Sequence, residues 1–459
     1  MRYFGTDGIR DRADALLARK LPYLLGRALS QTENKIIVAR DVRTHSRLIE
    51  NMLVLGLLDG KADIYLAGVL PTPALAYIAA LENADYAVMI TASHNPPLFN
   101  GLKVFGKSGR KLSESEERAL DDKVFELDKS YASPREPAIY DAPCLDVAAD
   151  VSAHALTDDE TRSKLNILPS KTHRVRIVNG AQELYKNHVK SMFPRFDGIK
   201  VKLDCAMGCM AQLAKGVFEE LGANVTAIND ERDGEKVNVK CGSTHLDAFI
   251  PLVARDELGF AFDGDGDRVL AVADGKRYDG DGILLALSAL YRIQGKLKKK
   301  FVVGTQLTNT RLQRELAFND IALIRTDVGD KHVLNELLER GCLLGGEKSG
   351  HILMLDRANT GDGLITALSL LEVKKTLGSL PRFTPYPMIE FNVSSTDPAK
   401  EATSPDFMEK VSEIKAAYGN LGRFIIRPSG TEPFIRVAFE CFSPSPEPIF
   451  ESIKKHFGA

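Results

Sequence analysis

The stretch Leu-Gly-Phe-Ala-Phe-Asp-Gly-Asp-Gly-Asp-Arg-Val-Leu-Ala-Val-Ala, residues 258–273, sets an acidic loop between two short apolar runs. The runs Leu258–Phe262 and Val269–Ala273 have the length and composition of buried β-strands. The loop between them carries three carboxylates: Asp263, Asp265 and Asp267. Glycines separate these aspartates and allow the tight backbone that lets three carboxylates converge on one hard cation. The stretch therefore predicts a metal site next to a β-sheet.

Mg²⁺ is the cation that this acidic loop favours. A calcium loop of the EF-hand type is excluded, because Arg268 stands where that loop requires glycine. Three protein ligands leave room for phosphate oxygens and water, which suits Mg²⁺ better than Ca²⁺. A solvated turn is the alternative, although three carboxylates without a cation would repel each other. The later string at residues 279–282 lacks a third acid and predicts a turn.

Short apolar runs alternate with helical patterns on both sides of the acidic loop. Helices are expected at residues 46–58 and 210–221. Further strands are expected at residues 35–39, 62–66, 85–90, 200–204, 224–228, 301–303, 321–325 and 342–344. This alternation favours sheets of mostly parallel strands with crossover helices. Near the end of the chain, strands at 424–427 and 434–438 flank a tight loop and precede a last helix.

These patterns predict an α/β protein with three successive α/β domains of mixed or parallel sheets and a smaller C-terminal α+β domain. Proline clusters at residues 132–143 and 381–387 mark expected linkers. The expected domains are residues 1–145, 146–246, 247–372 and 373–459. The first holds a serine loop, the third the metal loop and a glycine-rich loop, and the last a phosphate-binding loop.

The composition excludes several functional classes. The chain has 459 residues, with 60 Lys and Arg against 62 Asp and Glu, and its formal net charge is −2. Such a balance predicts no binding to nucleic acid or to an anionic membrane surface. Six cysteines are too sparse for a disulfide framework, and the N-terminus carries no apolar signal segment, so we expect a cytoplasmic protein.

The loop at residues 91–96, Thr-Ala-Ser-His-Asn-Pro, follows the strand expected at 85–90. A serine where a strand ends, such as Ser93, can act as a nucleophile or carry a phosphoryl group. His94 beside it can orient the hydroxyl. The alternative is a simple turn in which Asn95 and Pro96 end the strand. The string does not match the G-x-S-x-G elbow of esterases.

Two more loops carry chemistry. In residues 345–351, Glu347 and Ser349 can bind hydroxyl groups and His351 can transfer protons, although a flexible glycine-rich loop is the alternative. In residues 427–433, Arg427 precedes a Ser-Gly-Thr run that offers hydroxyls and backbone N–H groups to a phosphate, although a hairpin turn is the alternative. Together the four loops predict phosphoryl transfer on a phosphosugar, and no Walker-type nucleotide loop is present.

The chain resembles the α-D-phosphohexomutase superfamily over nearly its whole length. The matching strings are residues 4–10, 91–96, 263–268, 346–351 and 427–433, in the order of the family. Within the superfamily it is most similar to bacterial phosphoglucosamine mutases, through residues 4–10, 241–245, 328–331 and 360–363. The resemblance implies four domains around a central cleft, a monomer or homodimer, and a small phosphosugar substrate. It also implies interconversion of glucosamine 6-phosphate and glucosamine 1-phosphate.

The resemblance implies a role for each loop. A phosphoserine at Ser93 exchanges its phosphoryl group with the sugar through a bisphosphorylated intermediate, and a sugar bisphosphate acts as activator. One Mg²⁺ per active site is held by Ser93, Asp263, Asp265 and Asp267. The expected catalytic residues are Ser93, Arg10, His94, Lys103 and His351. The expected substrate-binding residues are Arg268, Lys331, Glu347, Ser349, Arg427, Ser429, Gly430 and Thr431.

Lys348 departs from the family, because phosphoglucosamine mutases usually have glutamine at this position. The lysine is cationic, and it would repel the protonated amine of glucosamine if the two were close. A phosphoglucomutase or phosphomannomutase acting on glucose or mannose phosphates is therefore the alternative hypothesis. A catalytically inert phosphosugar-binding protein is the hypothesis from another class, and the intact Ser93 and aspartates argue against it.

Overall fold

The computed structural model describes residues 1–5, 7–30, 34–130, 167–169, 174–428 and 433–458, with backbone only at 167–169. The expected linker at 132–143 and the expected boundary at 145 lie outside the described residues. So do three residues for which we expected phosphate binding: Ser429, Gly430 and Thr431.

The first sheet has eight strands and forms the N-terminal part of the molecule. Its strands are β1 (Phe4–Gly5), β2 (Gly8–Arg12), β3 (Lys35–Arg40), β4 (Asp63–Val69), β5 (Tyr86–Ile90), β6 (Phe99–Gly106), β7 (Ile167–Pro169) and β8 (Val175–Val178). Their order is β1-β2-β6-β5-β3-β4-β8-β7. Strands β5, β3, β4 and β8 run parallel, and the outer strands pair antiparallel.

Helices cover both faces of this parallel centre. They are α1 (Ala13–Ala18), α2 (Leu21–Leu29), α3 (Ser46–Asp59), α4 (Thr72–Leu81) and α5 (Glu114–Ser130). The expected strands at 35–39, 62–66 and 85–90 and the expected helix at 46–58 are thus confirmed. Residues 36–39, the centre of β3, are all buried, as expected for an apolar strand that lies between two layers of helices.

The second sheet contains the acidic loop. Its strands are β9 (Lys200–Asp204), β10 (Asn224–Ile228), β11 (Leu258–Phe262), β12 (Val269–Ala273) and β13 (Lys276–Tyr278), in the order β10-β9-β11-β12-β13. The helices nearby are α6 (Ala181–Ser191), α7 (Leu213–Glu220) and α8 (Leu246–Phe249). Strands β10, β9 and β11 run parallel, whereas β12 and β13 are antiparallel.

The third sheet has the order β15-β14-β16-β17, with only β17 antiparallel. Its strands are β14 (Phe301–Thr305), β15 (Ala322–Thr326), β16 (Leu344–Gly346) and β17 (Ile352–Met354). Its helices are α9 (Gly280–Ile293), α10 (Thr310–Phe318), α11 (Asp330–Arg340) and α12 (Gly363–Leu377). The strand expected at 342–344 begins only at Leu344, because the Cys342 N–H closes the end of α11 on the Leu337 carbonyl.

The fourth sheet is small and antiparallel, and it belongs to the C-terminal part of the chain. It has the order β18-β20-β19, built from β18 (Met388–Ser394), β19 (Gly422–Pro428) and β20 (Phe434–Cys441). Its helices are α13 (Pro398–Glu401), α14 (Pro405–Tyr418) and α15 (Glu447–Phe457). The fold class expected from the sequence is confirmed: several mixed α/β sheets with a smaller C-terminal α+β unit.

The first three sheets share a hydrophobic core. One continuous cluster of buried side chains includes Ile37 of the first sheet, Phe218 and Phe260 around the second, and Leu287 and Leu368 around the third. The fourth sheet has its own cluster of buried side chains, drawn from its strands and helices. The elements before residue 378 therefore pack as one body, to which the C-terminal unit is attached.

Two expected domain boundaries fall inside elements of the structure. The boundary at 246 lies within the second sheet, because β11 pairs in parallel with β9, with Leu258 opposite Val201. The boundary at 372 lies within α12. In the described part of the chain, no helix combines the length and apolar composition that are needed to cross a membrane.

Candidate active site

Ser93 lies in the loop that leaves the carboxyl end of β5. Its side chain is fully buried, and its backbone is in the left-handed region, at φ 50°. The Ser93 hydroxyl donates a hydrogen bond of 2.6 Å to Oδ2 of Asp263. His94 Nδ1 lies 3.4 Å from the same hydroxyl. The serine loop and the acidic loop therefore meet, although they come from different sheets.

The acidic loop follows β11 and holds three carboxylates close together. One ligand oxygen from each of Asp263, Asp265 and Asp267 lies within 4.8 Å of the others. The glycines between them are required by space and backbone conformation. A Cβ at Gly264 would lie 2.8 Å from the Ser93 carbonyl oxygen, and Gly266 has φ 71°. Only glycine lets the acidic loop approach the serine loop so closely.

These carboxylates fit a hard divalent cation. Burial and the neighbouring aspartates raise the pKa of Asp263 well above its usual range. Oδ1 of Asp265 and Oδ1 of Asp267 are buried, and neither has a hydrogen-bond partner among the described residues. Buried carboxylate oxygens without a partner are costly unless a cation binds them. Asp263, Asp265 and Asp267, with the Ser93 oxygen, form a suitable donor set for Mg²⁺.

Lys103 of β6 contacts the Oδ2 atoms of two of these carboxylates, and not the Oδ1 atoms that lack a hydrogen bond. Its ammonium lies 2.9 Å from Oδ2 of Asp265 and 2.7 Å from Oδ2 of Asp267, and 3.2 Å from Oδ2 of Asp7. Burial alone would lower the pKa of Lys103, but the three carboxylates raise it well above its usual range. Lys103 is therefore cationic and faces the reacting centre.

Asp7 links the cations around the site, and the sequence did not single it out. It lies in the turn between β1 and β2, where it accepts a hydrogen bond from Arg10 at 2.9 Å and contacts Lys111. Burial opposes its charge, but Lys103, Lys111 and Arg10 hold the pKa of Asp7 well below its usual range. Arg10 also donates to the Asn95 side chain at 3.2 Å. The sequence signal was the string at residues 4–10, of which only Arg10 was assigned.

His351 reaches the same centre from the third sheet. It is 2 % exposed, and its Nε2 lies 3.4 Å from Asp330 and 3.9 Å from Asp267. Neither ring nitrogen forms a hydrogen bond with the residues that the structure describes. A Cβ at Gly361 would lie 2.4 Å from the imidazole, so the ring packs directly on that glycine. The imidazole is thus held beside the acidic loop, with Nε2 facing Asp330 and Asp267.

The glycine-rich loop is the turn of the hairpin between β16 and β17. Oε1 of Glu347 accepts a hydrogen bond of 3.1 Å from the Gly329 N–H, and burial raises the pKa of Glu347. Gly280 must be glycine, because a Cβ there would lie 1.9 Å from the Glu347 carbonyl oxygen. The Lys348 ammonium lies 3.5 Å from Glu390 of β18. The loop therefore contacts the C-terminal unit.

A cavity of about 350 Å³ lies beside this cluster of charged groups. Lys111 borders it on the side of the first sheet, and Arg268 borders it on the side of the acidic loop. The third sheet contributes Glu347, Ser349 and His351. This volume has the size and polarity of a pocket for a small polar ligand.

The C-terminal unit closes the cavity with two arginines. Arg427 of β19 and Arg436 of β20 are opposite each other in the antiparallel ladder, so their side chains share a face. Both line the cavity, and burial together with Arg436 lowers the pKa of Arg427. The sequence singled out Arg427 but missed Arg436. The signal was the hairpin register, which places a residue of one strand beside its partner in the other.

The structure brings most of the expected residues together, but Lys331 faces elsewhere. Its ammonium contacts Glu117 of α5. Three further residues that the sequence did not single out stand at the site. They are Lys111 and Asp330, which contact each other, and Thr72, which donates to Asp265 at 2.6 Å. These contacts join distant parts of the chain and carry no local sequence signal.

Three family models match the chain. They are the phosphoglucomutase/phosphomannomutase α/β/α domain I at residues 1–131, α/β/α domain III at 278–382, and the C-terminal domain at 390–447. A solved phosphoglucomutase/phosphomannomutase family protein from Burkholderia thailandensis has the same fold, with a TM-score of 0.72 and 21 % identity. The alignment covers 99 % of this chain and 97 % of that one. Fold and site together define a phosphohexomutase.

Curated relatives narrow the family. Phosphoglucosamine mutases from Thermosipho africanus and Caldicellulosiruptor saccharolyticus are each 38 % identical to this chain, over 96 % of it and 94 % of their own length. That of Finegoldia magna is 35 % identical with the same coverage. The chain belongs to the phosphoglucosamine mutase family. A solved N-acetylphosphoglucosamine mutase from Aspergillus fumigatus, in complex with GlcNAc-6P and magnesium, shares the fold at 17 % identity and a TM-score of 0.65. The alignment covers 99 % of this chain and 95 % of that one.

Proposed function

We propose that the protein interconverts glucosamine 6-phosphate and glucosamine 1-phosphate through a phosphoserine at Ser93. The observation that carries this proposal is the 2.6 Å contact between the Ser93 hydroxyl and Asp263, at the edge of a buried carboxylate triad. Family membership supports the amino-sugar substrate, since the curated relatives at 35–38 % identity are phosphoglucosamine mutases. Ionic phosphosugars do not cross membranes unaided, and we therefore place the reaction in the cytoplasm.

Asp263, Asp265, Asp267 and the Ser93 oxygen would hold one Mg²⁺. When bound, the ion neutralises negative charge on the phosphoryl group during transfer. Lys103 supplies a fixed positive charge on the opposite edge of two of these carboxylates. A phosphoserine adds about −1.5 to −2 charge to this group of acids, which increases the demand for a cation.

The sugar phosphate binds across the cavity. Arg427 and Arg436 hold the phosphate that does not react, together with Ser429, Gly430 and Thr431, which follow Arg427 closely in the sequence. Glu347 and Ser349 bind sugar hydroxyls at the third sheet, and Arg268 borders the reacting end. A phosphate anchor on one side of the cavity and a phosphoserine on the other fix the sugar between them. The contact of Lys331 with Glu117 gives no support for a role of Lys331 in binding.

The transfer has two halves. A sugar hydroxyl attacks the phosphorus, the bond between phosphorus and Ser93 Oγ breaks, and a base takes the hydroxyl proton. After the bisphosphate reorients, Ser93 Oγ attacks the other phosphorus, the bond between that phosphorus and the sugar oxygen breaks, and an acid returns a proton to the released sugar oxygen. We propose His351 as the proton carrier, while Arg10 and Lys103 stabilise charge. The cation Arg268 and burial lower the pKa of His94 to about 3, so His94 is neutral.

The two halves explain why a sugar bisphosphate activates the enzyme. Loss of the bisphosphate between the halves leaves Ser93 without its phosphoryl group. Added bisphosphate restores the phosphoserine. The same anchor of Arg427 and Arg436 holds either phosphate of this intermediate, so both orientations can bind.

Lys348 does not have to repel the amine of the substrate. Its ammonium lies 3.5 Å from Glu390. Glu390 therefore offsets the charge of Lys348 at the rim of the cavity. We therefore infer that the protonated amine meets Glu347 rather than an unbalanced cation.

Phosphorus NMR with Mg²⁺ and a trace of sugar bisphosphate tests the proposal. Glucosamine 6-phosphate, glucose 6-phosphate and mannose 6-phosphate are compared at equal concentration. We expect the signal of glucosamine 1-phosphate to grow fastest, and to vanish in Ser93→Ala with folding retained. Faster turnover of glucose or mannose phosphate would refute the amino-sugar assignment. Turnover by Ser93→Ala would refute the role of the serine.

A further inference from the structure

Arg43 is the most fully bonded buried cation near the active site. It lies in the loop between β3 and α3, and its side chain has no solvent exposure. Its Nε donates to Oδ2 of Asp41 at 2.8 Å. Its Nη1 and Nη2 donate to four backbone carbonyls of one loop, at 2.5–2.9 Å: Ser93, Asn95, Pro96 and Phe99. All five donors of the guanidinium are used, and four of them hold the serine loop.

Asp41 holds the same loop through Thr91. Oδ2 of Asp41 accepts from the Thr91 hydroxyl at 2.8 Å, and Oγ1 of Thr91 accepts from the Ser93 N–H at 2.9 Å. Oδ1 of Asp41 accepts from the Arg43 N–H and from the Ser46 hydroxyl. The Asp41–Arg43 pair thus fixes both the carbonyl and the N–H of Ser93.

A third contact comes from the second sheet. Nδ2 of Asn238 donates to the Ser93 carbonyl at 2.8 Å and to the Asn95 carbonyl at 3.2 Å. These are the two carbonyls that Nη2 of Arg43 also binds. A Cβ at Gly234 would lie 2.3 Å from the Val42 carbonyl, so the loop of Asn238 packs against the loop of Arg43. Two separate parts of the chain therefore bind the same two carbonyls of the serine loop.

These contacts matter because Ser93 has a backbone conformation that serine residues seldom adopt. Its φ of 50° is left-handed, and non-glycine residues adopt this conformation at a cost in free energy. Such a conformation persists only where the surroundings over-determine it. Here it aims the hydroxyl at Asp263, away from the chain direction of β5. A relaxed loop would turn Oγ away from the acidic triad.

We infer that Arg43 is the positioning residue of the phosphoryl transfer, with Asn238 as its partner on the other side of the serine loop. Arg43 touches neither the cavity nor the acidic triad, and it acts through the backbone of Ser93. This inference rests on the proposed function, since it needs Ser93 to carry the phosphoryl group. A purely structural ion pair would affect stability and leave the rate constant of transfer unchanged.

Arg43→Lys tests this inference, because lysine keeps the charge but has three donors instead of five. We expect kcat to fall about 10²-fold, as a small misplacement of a reacting atom does, with KM within about threefold of wild type. The matched control is Arg357→Lys. Arg357 is a buried arginine that binds Ser369 and Glu372, away from the serine loop. We expect this control to lose stability and keep kcat.

Asn238→Ala keeps the inference testable if Arg43→Lys does not fold. This substitution removes the two hydrogen bonds from Asn238 to the serine loop without removing a buried charge. We expect kcat to fall about tenfold while KM is unchanged. Loss of kcat in Arg357→Lys equal to that in Arg43→Lys would overturn the inference, since it would show a general effect of stability. Wild-type kcat in a folded Arg43→Lys or in Asn238→Ala would also overturn it.

The rate at which Ser93 is phosphorylated tests the role of Arg43 independently of which sugar phosphate is the substrate. Each protein is incubated with glucose 1,6-bisphosphate, and the added phosphoryl group is measured by intact mass. We expect rapid labelling of wild type and Arg357→Lys, and slow labelling of Arg43→Lys and Asn238→Ala. Equal labelling rates in all four would overturn the role of Arg43. A wild type that is labelled but does not convert glucosamine phosphates would refute only the amino-sugar substrate.

Discussion

The two oxygens of each aspartate in the acidic loop serve different partners. Oδ2 of Asp265 and Oδ2 of Asp267 both contact Lys103, whereas their Oδ1 atoms accept no hydrogen bond in the described part of the chain. Lysine therefore stabilises one edge of the carboxylates, and a cation can bind the other edge. This division lets a permanent charge and an exchangeable ion share one buried site without displacing each other.

Asp265→Asn should weaken Mg²⁺ binding without harming the fold. Asparagine can still accept from Lys103 and Thr72 through its one oxygen, but the anionic oxygen for the cation is lost. We expect the Mg²⁺ concentration for half-maximal turnover to rise about 10- to 100-fold, with a melting temperature close to that of wild type. The control is Asp274→Asn, an exposed acid in the turn after β12. An unchanged Mg²⁺ requirement in Asp265→Asn would contradict this ligand assignment.

Arg427→Lys and Arg436→Lys should each raise KM with little change in kcat. Lysine loses the bidentate fork that matches a phosphate, and a charge-assisted hydrogen bond is worth about 1.5–3 kcal/mol. We expect KM to rise about 10- to 100-fold in steady-state assays. Arg340→Lys, at an exposed pair with Glu336, serves as the control. If KM stays at the wild-type value in either variant, that arginine does not bind the substrate phosphate.

At the residue scale, the sequence predicted those side chains that stand in loops directly after strands. Ser93 and the three aspartates met this condition, and the structure brings them together. Asp7, Lys111 and Arg43 did not. Their partners are far along the chain, as in the contact of Lys111 with Asp330. The role of such a residue depends on a distant partner, so even a recognisable local string such as residues 4–10 does not show which of its side chains face the site.

At the scale of elements, the site lies where two strand ends face each other. Strand β5 of the first sheet delivers Ser93 and β11 of the second delivers the acidic loop, each at its carboxyl end. Ligand sites in parallel α/β sheets gather at such ends, which is why the loops could be predicted as functional. The sequence did not show that the two ends come from different sheets, because which strands share a sheet depends on long-range pairing.

The start of α9 carries a pH-sensitive pair of acids. Burial, and then the nearby Asp279, raise the pKa of Asp281 to about 8, although Asp281 accepts a hydrogen bond from the Asn309 N–H. Between its unfolded value near 3.9 and about pH 8, the folded protein binds a proton that the unfolded chain has lost. The contribution of Asp281 to stability is therefore full at low pH and declines as the pH rises through about 8.

Asp281→Asn should remove this dependence. In wild type we expect the free energy of unfolding to fall between pH 6 and pH 8 with a slope of up to about 1.4 kcal/mol per pH unit from this group. In the variant the same slope should be flatter, as measured by urea unfolding at a series of pH values. The exposed Asp274→Asn should keep the wild-type slope. A variant slope equal to that of wild type would show that Asp281 is ionised throughout this range.

At the scale of the whole molecule, the sequence predicted the fold class, and two of the expected domain boundaries, at 246 and 372, fall inside elements of the structure. Alternating strands and helices indicate α/β architecture by local pattern alone. Strands β11 to β13 complete the second sheet instead of opening a third, because β11 pairs with β9 across more than fifty residues. A pairing between strands so far apart in the sequence leaves no local sequence signal at residue 246, where we expected a domain boundary.

The strands form four sheets, but the buried hydrophobic side chains divide these sheets into two groups. One cluster joins the first three sheets, and a separate cluster supports the fourth. The contacts described between the third and fourth units are mainly polar. Examples are the Asn309 side chain with the backbone of Tyr386, and Glu440 with the Thr310 N–H. Polar contacts of this kind couple units weakly, so the C-terminal unit should be able to open the cavity.

Calorimetry should therefore show two transitions, one for the body of three sheets and one for the C-terminal unit. Glucose 1,6-bisphosphate binds between them and should stabilise the closed form by about 2.7 kcal/mol at about 100 times its Kd, which brings the transitions together. Arg427→Lys should keep both transitions and lose about half or more of the stabilisation by the bisphosphate at the same concentration. A single transition without ligand, with equal calorimetric and van't Hoff enthalpies, would show that the polar contacts suffice to make all four sheets one cooperative unit. Two transitions that merge with the bisphosphate in wild type alone would show that the substrate phosphate closes the cavity through Arg427.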